Sequence, residues 1–323
     1  MKSKIEIPIF FSTDDNYIPF LTVALHSIIE NASKEYNYRI IVLNSGITEK
    51  NISEIRKLEN SNFKIEFADV NEKINHIMSE LTNGLRDYYS NSIYYRIFIP
   101  SLFPKLKKAL YLDADIVVID DISKLYFEDL GDNLLGAITD DVVNGNESFK
   151  KYSDLVLGVK PENYFNSGIL VMNLDKFRDE NIESKFVHLL NTYNFDTIAP
   201  DQDYLNYLCK GKVKYIHKGW DKMPMKDDNF SDEDLHLIHY NMFKKPWHYS
   251  DVLYEDYFWQ YAKKSQFYDD LEEMKRLYSD EQKMLDDAAG IDLVKRSERI
   301  MDSKATFENV LEDKYFDKIK IYG

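Results

Sequence analysis

The sequence predicts an α/β protein: a single Rossmann-like, mostly parallel sheet flanked by helices, followed by a helical C-terminal extension. Three observations carry this. Short apolar runs alternate with amphipathic segments through the first 70 residues, the pattern of parallel strands joined by crossover helices. Turns rich in Asp and Asn follow those runs, at the strand ends where ligands bind in such sheets. After residue 250 the apolar runs give way to segments dense in charge and Tyr, with Gly290 as the one clear break. The chain therefore divides into a sheet domain, 1–250, and an extension, 251–323.

The elements follow in order. Ile5–Phe11, rich in Ile and Phe, reads as a buried strand that ends in the polar turn Ser12-Thr13-Asp14-Asp15-Asn16. Tyr17 to Glu30 has Pro19 early and apolar residues at Phe20, Leu21, Ala24, Leu25 and Ile28, the spacing of one helix face. Tyr38–Leu43 is a second strand, Thr48–Leu58 a second helix and Phe63–Phe67 a third strand. Ala109–Leu112 is a further strand, and Leu134–Ile138, Gly168–Asn173, Val213–Ile216 and Leu235–Ile238 continue the set. Ile182–Tyr193 and Gln202–Cys209 read as helices. Glu72–Ser92 and Asp141–Asn163 are long and weakly patterned, and loops of that length beside a site are candidate lids. The extension reads as a helical packing or dimer element, which leaves a homo-oligomer open.

Composition excludes several classes. An apolar fraction of 44% and an aromatic fraction of 14% are ample for a core. A net charge of -15 argues against nucleic acid or an anionic membrane as a partner held by bulk electrostatics. An anionic ligand would need a metal or a few placed cations. Cys209 is the only cysteine, so no internal disulfide forms, which suits a cytoplasmic protein. The N-terminal apolar stretch is too short for a signal peptide, and no run of about 18 apolar residues offers a membrane span.

The chemistry concentrates in Leu112-Asp113-Ala114-Asp115, where a buried strand runs out. Two carboxylates flanked by apolar residues repel each other and resist desolvation, so they stay ionised when a cation sits between them. His239 follows the strand Leu235–Ile238; two carboxylates and one imidazole make a partial shell for a cation such as Mn²⁺. By itself a His at a strand end is more often structural. Lys245 lies six residues on, before Pro246-Trp247, within reach of a diphosphate completing such a shell. Phe165-Asn166-Ser167-Gly168 feeds a buried strand; Gly168 permits close backbone approach, and Asn166 offers a donor and an acceptor to sugar hydroxyls. Pro200-Asp201-Gln202-Asp203 opens a helix, with Asp201 either its N-cap or a sugar-facing group, two compatible readings.

Taken in order, Asp14-Asp15-Asn16-Tyr17, Tyr95-Arg96, Leu112-Asp113-Ala114-Asp115, Phe165-Asn166-Ser167-Gly168, Asp201-Gln202-Asp203 and His239…Lys245-Pro246-Trp247 resemble the retaining family 8 glycosyltransferases. That group includes bacterial lipooligosaccharide galactosyltransferases and glycogenin, and the resemblance covers roughly residues 5–250. It implies a GT-A fold, a UDP-hexose donor (glucose or galactose) and Mn²⁺, with Mg²⁺ as the alternative ion. It implies that Asp14, Asn16 and Tyr17 hold the nucleoside, Tyr17 by stacking, and that Asp113, Asp115 and His239 bind the metal, with Ala114 between them. Arg96, Asp140, Asn166, Ser167, Asp201 and Gln202 would surround the donor sugar, with Asp140, Asp201 and Gln202 closest to the reaction. Lys245 would hold the diphosphate. The acceptor would be a glycan, glycolipid or glycoprotein, and a lipid-linked one would bring the protein to a membrane surface. One departure stands out: the family often has Gly three residues after the metal histidine, and this chain has Met242.

Two rivals are weighed against this. Asp113-x-Asp115-x-Val117 also fits the start of haloacid-dehalogenase-type phosphatases, but more than a hundred residues of α/β pattern precede it. A non-catalytic UDP-sugar-binding protein on the same fold would show loss of a metal carboxylate, and all three proposed ligands are present. Neither G-x-G-x-x-G nor a P-loop occurs, and the Asp113 loop lacks the Gly and final Glu of an EF-hand.

Overall fold

Successive residues of the central strands point to opposite faces, and both faces are buried. Phe10, Ile41 and Leu43 enter one apolar cluster, while Ile9, Phe11, Ile40 and Val42 enter another. The computed structural model, which describes residues 4–70, 74 and 91–311, shows why. Strand β1 (Glu6–Ser12) pairs in parallel with β2 (Asn37–Asn44), and β2 with β3 (Phe63–Asp69). On its other side β1 pairs in parallel with β4 (Lys108–Leu112). Helix α1 (Ile18–Asn31) starts after Asp14 accepts from the Asn16 and Tyr17 amides, and Thr48 caps α2 (Glu49–Arg56).

The short strand β5 (Ile116–Val118) follows β4; then come β6 (Leu135–Thr139), β7 (Phe165–Asn173), β8 (Val213–Tyr215) and β9 (Leu237–His239). The main sheet runs β3-β2-β1-β4-β7-β6-β8. It is mostly parallel, as predicted, and β7 is the exception, antiparallel to both β4 and β6. β5 and β9 form a separate antiparallel pair that places Ile116 opposite His239. The sequence reading did not foresee this pair: three-residue strands leave no periodicity to detect.

Some expectations are corrected. Asp141–Asn163, read as a loop, is helix α3 (Asp141–Gly145), helix α4 (Glu147–Leu157) and a short turn. Asp140 caps α3, Asn146 caps α4, and Gly158 ends it at φ +61°. The buried positions Phe149, Tyr152, Ser153, Val156 and Leu157 have helical spacing, hidden in the sequence by intervening Lys, Ser and Asp. Residues 72–92, the other candidate lid, lie largely outside the described residues. Strand β7 begins at Phe165, so Asn166-Ser167-Gly168 is strand rather than the turn before one. Helices α5 (Ile182–Thr192) and α6 (Pro200–Leu208) fall close to expectation.

The C-terminal region is helical: α7 (Glu255–Ala262), α8 (Tyr268–Leu277) and α9 (Asp280–Met301). Ser279 and Gln282 form a reciprocal capping box at the start of α9. Gly290, read as a break, lies inside α9. A Cβ there would sit 3.9 Å from Phe243, so the helix passes close to the chain that follows His239. α9 also packs along α4. No helix among the described residues is long and apolar enough to cross a membrane.

Candidate active site

The strand pairing explains how distant carboxylates and one imidazole meet. β4 ends at Leu112, and the Asp113 amide donates to the Gly168 carbonyl of β7 at 2.8 Å. β9 carries His239 to β5, where the Tyr240 amide donates to the Asp115 carbonyl at 2.9 Å. Ligand atoms of Asp113, Asp115 and His239 consequently lie within 4.8 Å of one another. His239 Nε2 is 3.3 Å from Asp115 Oδ1 and 3.8 Å from Asp113 Oδ2, while Nδ1 is 2.9 Å from Asp221 Oδ1. Gly168 makes room for the group. A Cβ there would fall 2.5 Å from His239 Cε1 and 2.6 Å from Asp113 Oδ2.

Positive charge is supplied by the protein itself. Arg96, stacked on the Tyr111 ring, donates from Nη2 to Asp113 Oδ1 at 3.0 Å, and Tyr111 Oη donates to the same oxygen at 3.0 Å. Lys245 Nζ reaches the Asp115 carboxylate and the Tyr240 carbonyl. Arg96, expected at the sugar, and Lys245, expected at the diphosphate, each pair here with one carboxylate of the Asp pair. Burial works against ionisation of Asp115, but Lys245 and His239 hold its carboxyl well below the usual range. Burial alone would lower the His239 pKa; Asp221 and Asp115 outweigh it and raise it to about 10. Burial pushes Asp221 up to about 6, with His239 pulling the other way.

The residues predicted around a sugar form one hydrogen-bonded set. Asp140 Oδ1 accepts the Val143 amide, and Oδ2 accepts from Asn166 Nδ2 and Gln202 Nε2, both at 3.0 Å. Gln202 Oε1 accepts the Ser167 amide at 2.9 Å. Ser167 Oγ donates to Asp201 Oδ2 at 2.9 Å, and Arg96 Nε lies 3.2 Å from the same oxygen. Burial raises the Asp201 pKa, and Arg96 opposes the rise. Asn166, expected to meet sugar hydroxyls, lines a cavity beside the Asp pair and is oriented by Asp140 and by the Gly168 amide, which donates to its Oδ1 at 2.8 Å. Beneath them Asp203 accepts from Tyr164 at 2.6 Å and Tyr152 at 2.8 Å, and Gln202 Nε2 donates to Tyr164 Oη at 3.2 Å.

Two cavities flank the Asp pair. One, of 290 Å³, is bordered by Asp14, Tyr17, Tyr111 and Ala114. The other, of 390 Å³, is bordered by Asp140, Asn166, Asp201, Gln202 and His239. Arg96, Asp113 and Asp115 line both. Asp14 and Tyr17 therefore lie beside the Asp pair, as the sheet register of β1 and β4 requires, with the Tyr17 ring partly exposed. Asn16 is exposed next to them and does not line the cavity.

The family model for glycosyl transferase family 8 matches residues 8–251. The chain belongs to this glycosyltransferase family. It is 29% identical over 260 residues to the lipopolysaccharide 1,2-glucosyltransferase of Escherichia coli K12, covering 74% of this chain and 72% of that one. Among solved structures it resembles the galactosyltransferase LgtC in complex with donor and acceptor sugar analogues, at 27% identity and TM-score 0.64, over 80% of this chain and 96% of LgtC. It also resembles the bifunctional glycosyltransferase WbbM, at 26% identity and TM-score 0.74, over 85% of this chain; it spans about half of WbbM, 52%. The sheet and flanking helices are those of the GT-A fold.

Sequence reasoning missed some residues of this family 8 site. Asp221 has no motif around it; its only mark is a carboxylate in the run Trp220-Asp221-Lys222-Met223. Tyr111 and Tyr164 read as ordinary strand and core aromatics, although their hydroxyls hold Asp113 and Asp203. Met242 answers the question raised by the missing glycine: it adopts φ +60°, the left-handed conformation that glycine favours.

Proposed function

We propose that the protein is a retaining, metal-dependent hexosyltransferase that moves glucose or galactose from a UDP-sugar to a hydroxyl of a glycan, glycolipid or glycoprotein. The observation that carries this reading is the placement of Asp113 and Asp115 at the junction of two cavities, with His239 Nε2 turned toward both carboxylates. Two oxygens and an imidazole nitrogen fit a hard-to-borderline divalent cation, Mn²⁺ first and the harder Mg²⁺ second. The relatives named for glucosyl and galactosyl transfer support a hexose.

The cavity beside Tyr17 takes the nucleoside, with the exposed ring available for stacking on the base and Asp14 for the ribose. Asp113, Asp115 and His239 hold the cation, which when bound offsets the negative charge that builds on the departing diphosphate. Lys245, already against Asp115, adds positive charge near the same place. Asp140, Asp201 and Gln202 border the sugar cavity, where acidic oxygens favour the oxocarbenium character of the reacting carbon. Gln202 Oε1 is a poor nucleophile, being an amide oxygen that already accepts from Ser167. Retention is therefore assigned to front-face attack. The acceptor oxygen bonds the anomeric carbon as its bond to the β-phosphate breaks, and the acceptor proton passes to the leaving phosphate. A hexosyl adduct trapped on Asp201 or Asp140 would overturn this.

The test is UDP release from UDP-glucose and UDP-galactose with Mn²⁺ and then EDTA, alongside calorimetry with UDP and Mn²⁺. Mn²⁺-dependent release from one donor, lost in Asp115→Asn, is expected. UDP binding with no turnover on any acceptor would favour a binding protein on the same fold, and absence of UDP binding would sink the reading altogether.

A further inference from the structure

The family match ends at residue 251, yet a residue far beyond it borders the sugar cavity: Leu293 of α9, together with Met242 and Val142. α9 is fixed to the segments around that cavity along its length. Near its start Asp286 accepts from Tyr249 at 2.8 Å and from Tyr278 at 2.7 Å, while His248 stacks on Tyr278 with ring centroids 3.9 Å apart. Gly290 lies against Phe243. Farther on, Arg296 pairs with Asp196 at 2.5 Å, and Glu298 accepts from Ser148 of α4 at 3.0 Å. The helix thus ties the chain after His239 to α4 and to the approach to α6.

The chemistry of the cavity limits its occupant. Asp113, Asp115, Asp140 and Asp201 line it, and Arg96 is already engaged by Asp113, Asp201 and Ser167. An anionic acceptor finds no unengaged guanidinium among the described lining residues; with the donor hexose against Asp140 and Asp201, the side of the cavity left for a second sugar is the one toward α9. Leu293, Met242 and Val142 add apolar surface. A neutral acceptor pyranose suits that side: its C–H face meets the apolar surface, and its hydroxyl rim faces the donor. Its 390 Å³ is in the range of about 300–1,000 Å³ usual for small-molecule sites.

We infer that α9 is the acceptor-side wall of the active site, with Leu293 and Met242 receiving the apolar face of a neutral acceptor pyranose. This rests on the transferase reading and deepens it: the C-terminal region is a specificity element for the acceptor. The test is saturation-transfer NMR on the full chain with UDP and Mg²⁺, using methyl β-D-galactopyranoside, methyl β-D-glucopyranoside and, as the anionic probe, methyl β-D-glucuronide. Saturation of the ring C–H protons of a neutral glycoside, and less for the glucuronide, is expected. Leu293→Lys and Leu293→Ala should weaken that binding about tenfold, and Leu293→Met should restore it. Should the lysine variant fail to melt cooperatively, the Ala and Met variants decide. Equal binding by wild type and Leu293→Ala, preference for the glucuronide, or no saturation while calorimetry still reports UDP binding would each overturn the inference alone. Loss of UDP binding in the wild type would instead remove the transferase reading beneath it.

Discussion

Asp221 Oδ1 lies 2.9 Å from His239 Nδ1, and this contact decides which imidazole nitrogen faces Asp113 and Asp115. With Nδ1 committed to Asp221, Nε2 is the nitrogen left for a cation. Asp221→Ala should weaken Mn²⁺ binding by about 10–100-fold, as loss of a partner behind a metal-binding histidine does. Calorimetric titration of Mn²⁺ checks this, and an unaltered affinity would show that His239 is oriented by its packing alone.

Gly168 sits where β7 passes under the same group. A methyl at this position would meet His239 Cε1 and Asp113 Oδ2 well inside van der Waals distance. Gly168→Ala should lower metal-dependent UDP release by about 100-fold, the scale expected when catalytic groups move by about 1 Å. A variant that melts like the wild type and turns over at the wild-type rate would argue against this placement.

Met242 bears left-handed strain that glycine would not. That strain is of order 1–2 kcal/mol, against about 0.5–1 kcal/mol of extra chain entropy that a glycine gains on unfolding. Met242→Gly should therefore be between neutral and about 1.5 kcal/mol more stable, and Met242→Ala less stable than Met242→Gly. Urea unfolding of the pair gives the comparison; a reversed order would show that the Met side chain makes up the strain through contacts.

Asp203 supplies the pH prediction. Burial raises its carboxyl to about 6, against 3.8 in the unfolded chain, with Tyr164 and Tyr152 opposing the rise. The folded state then holds a proton that the unfolded state has lost between about pH 4 and 6, so this group's contribution falls as pH rises through that window. The stability deficit of Asp203→Asn relative to wild type should shrink by about 2 kcal/mol from pH 4 to pH 6. Denaturant unfolding at several pH values reads it, and a deficit that grows with pH would refute it.

Much of this was legible in the residues. Asp113, Asp115 and His239 were singled out from apolar flanks and strand ends, and the structure places them together. Strands β1, β2 and β3 fell within a residue or two of expectation because their alternation with helices is long and regular. The helix α4 was lost because its buried face is interleaved with Lys, Ser and Asp. Asp221 was lost because a single acid without a partner in sequence carries no spacing to read.

By itself the sequence determined the α/β class, the order of the early elements, the family resemblance and the identity of the three candidate ligands. These depend on periodicity and on motifs in chain order, both local properties. The tertiary structure alone decided that Arg96 and Lys245 neutralise the Asp pair, that Asn166 holds Asp140, and that α9 borders the sugar cavity. Each of these joins residues 17 or more positions apart. Such contacts are set by strand register and helix packing, which sequence spacing does not encode.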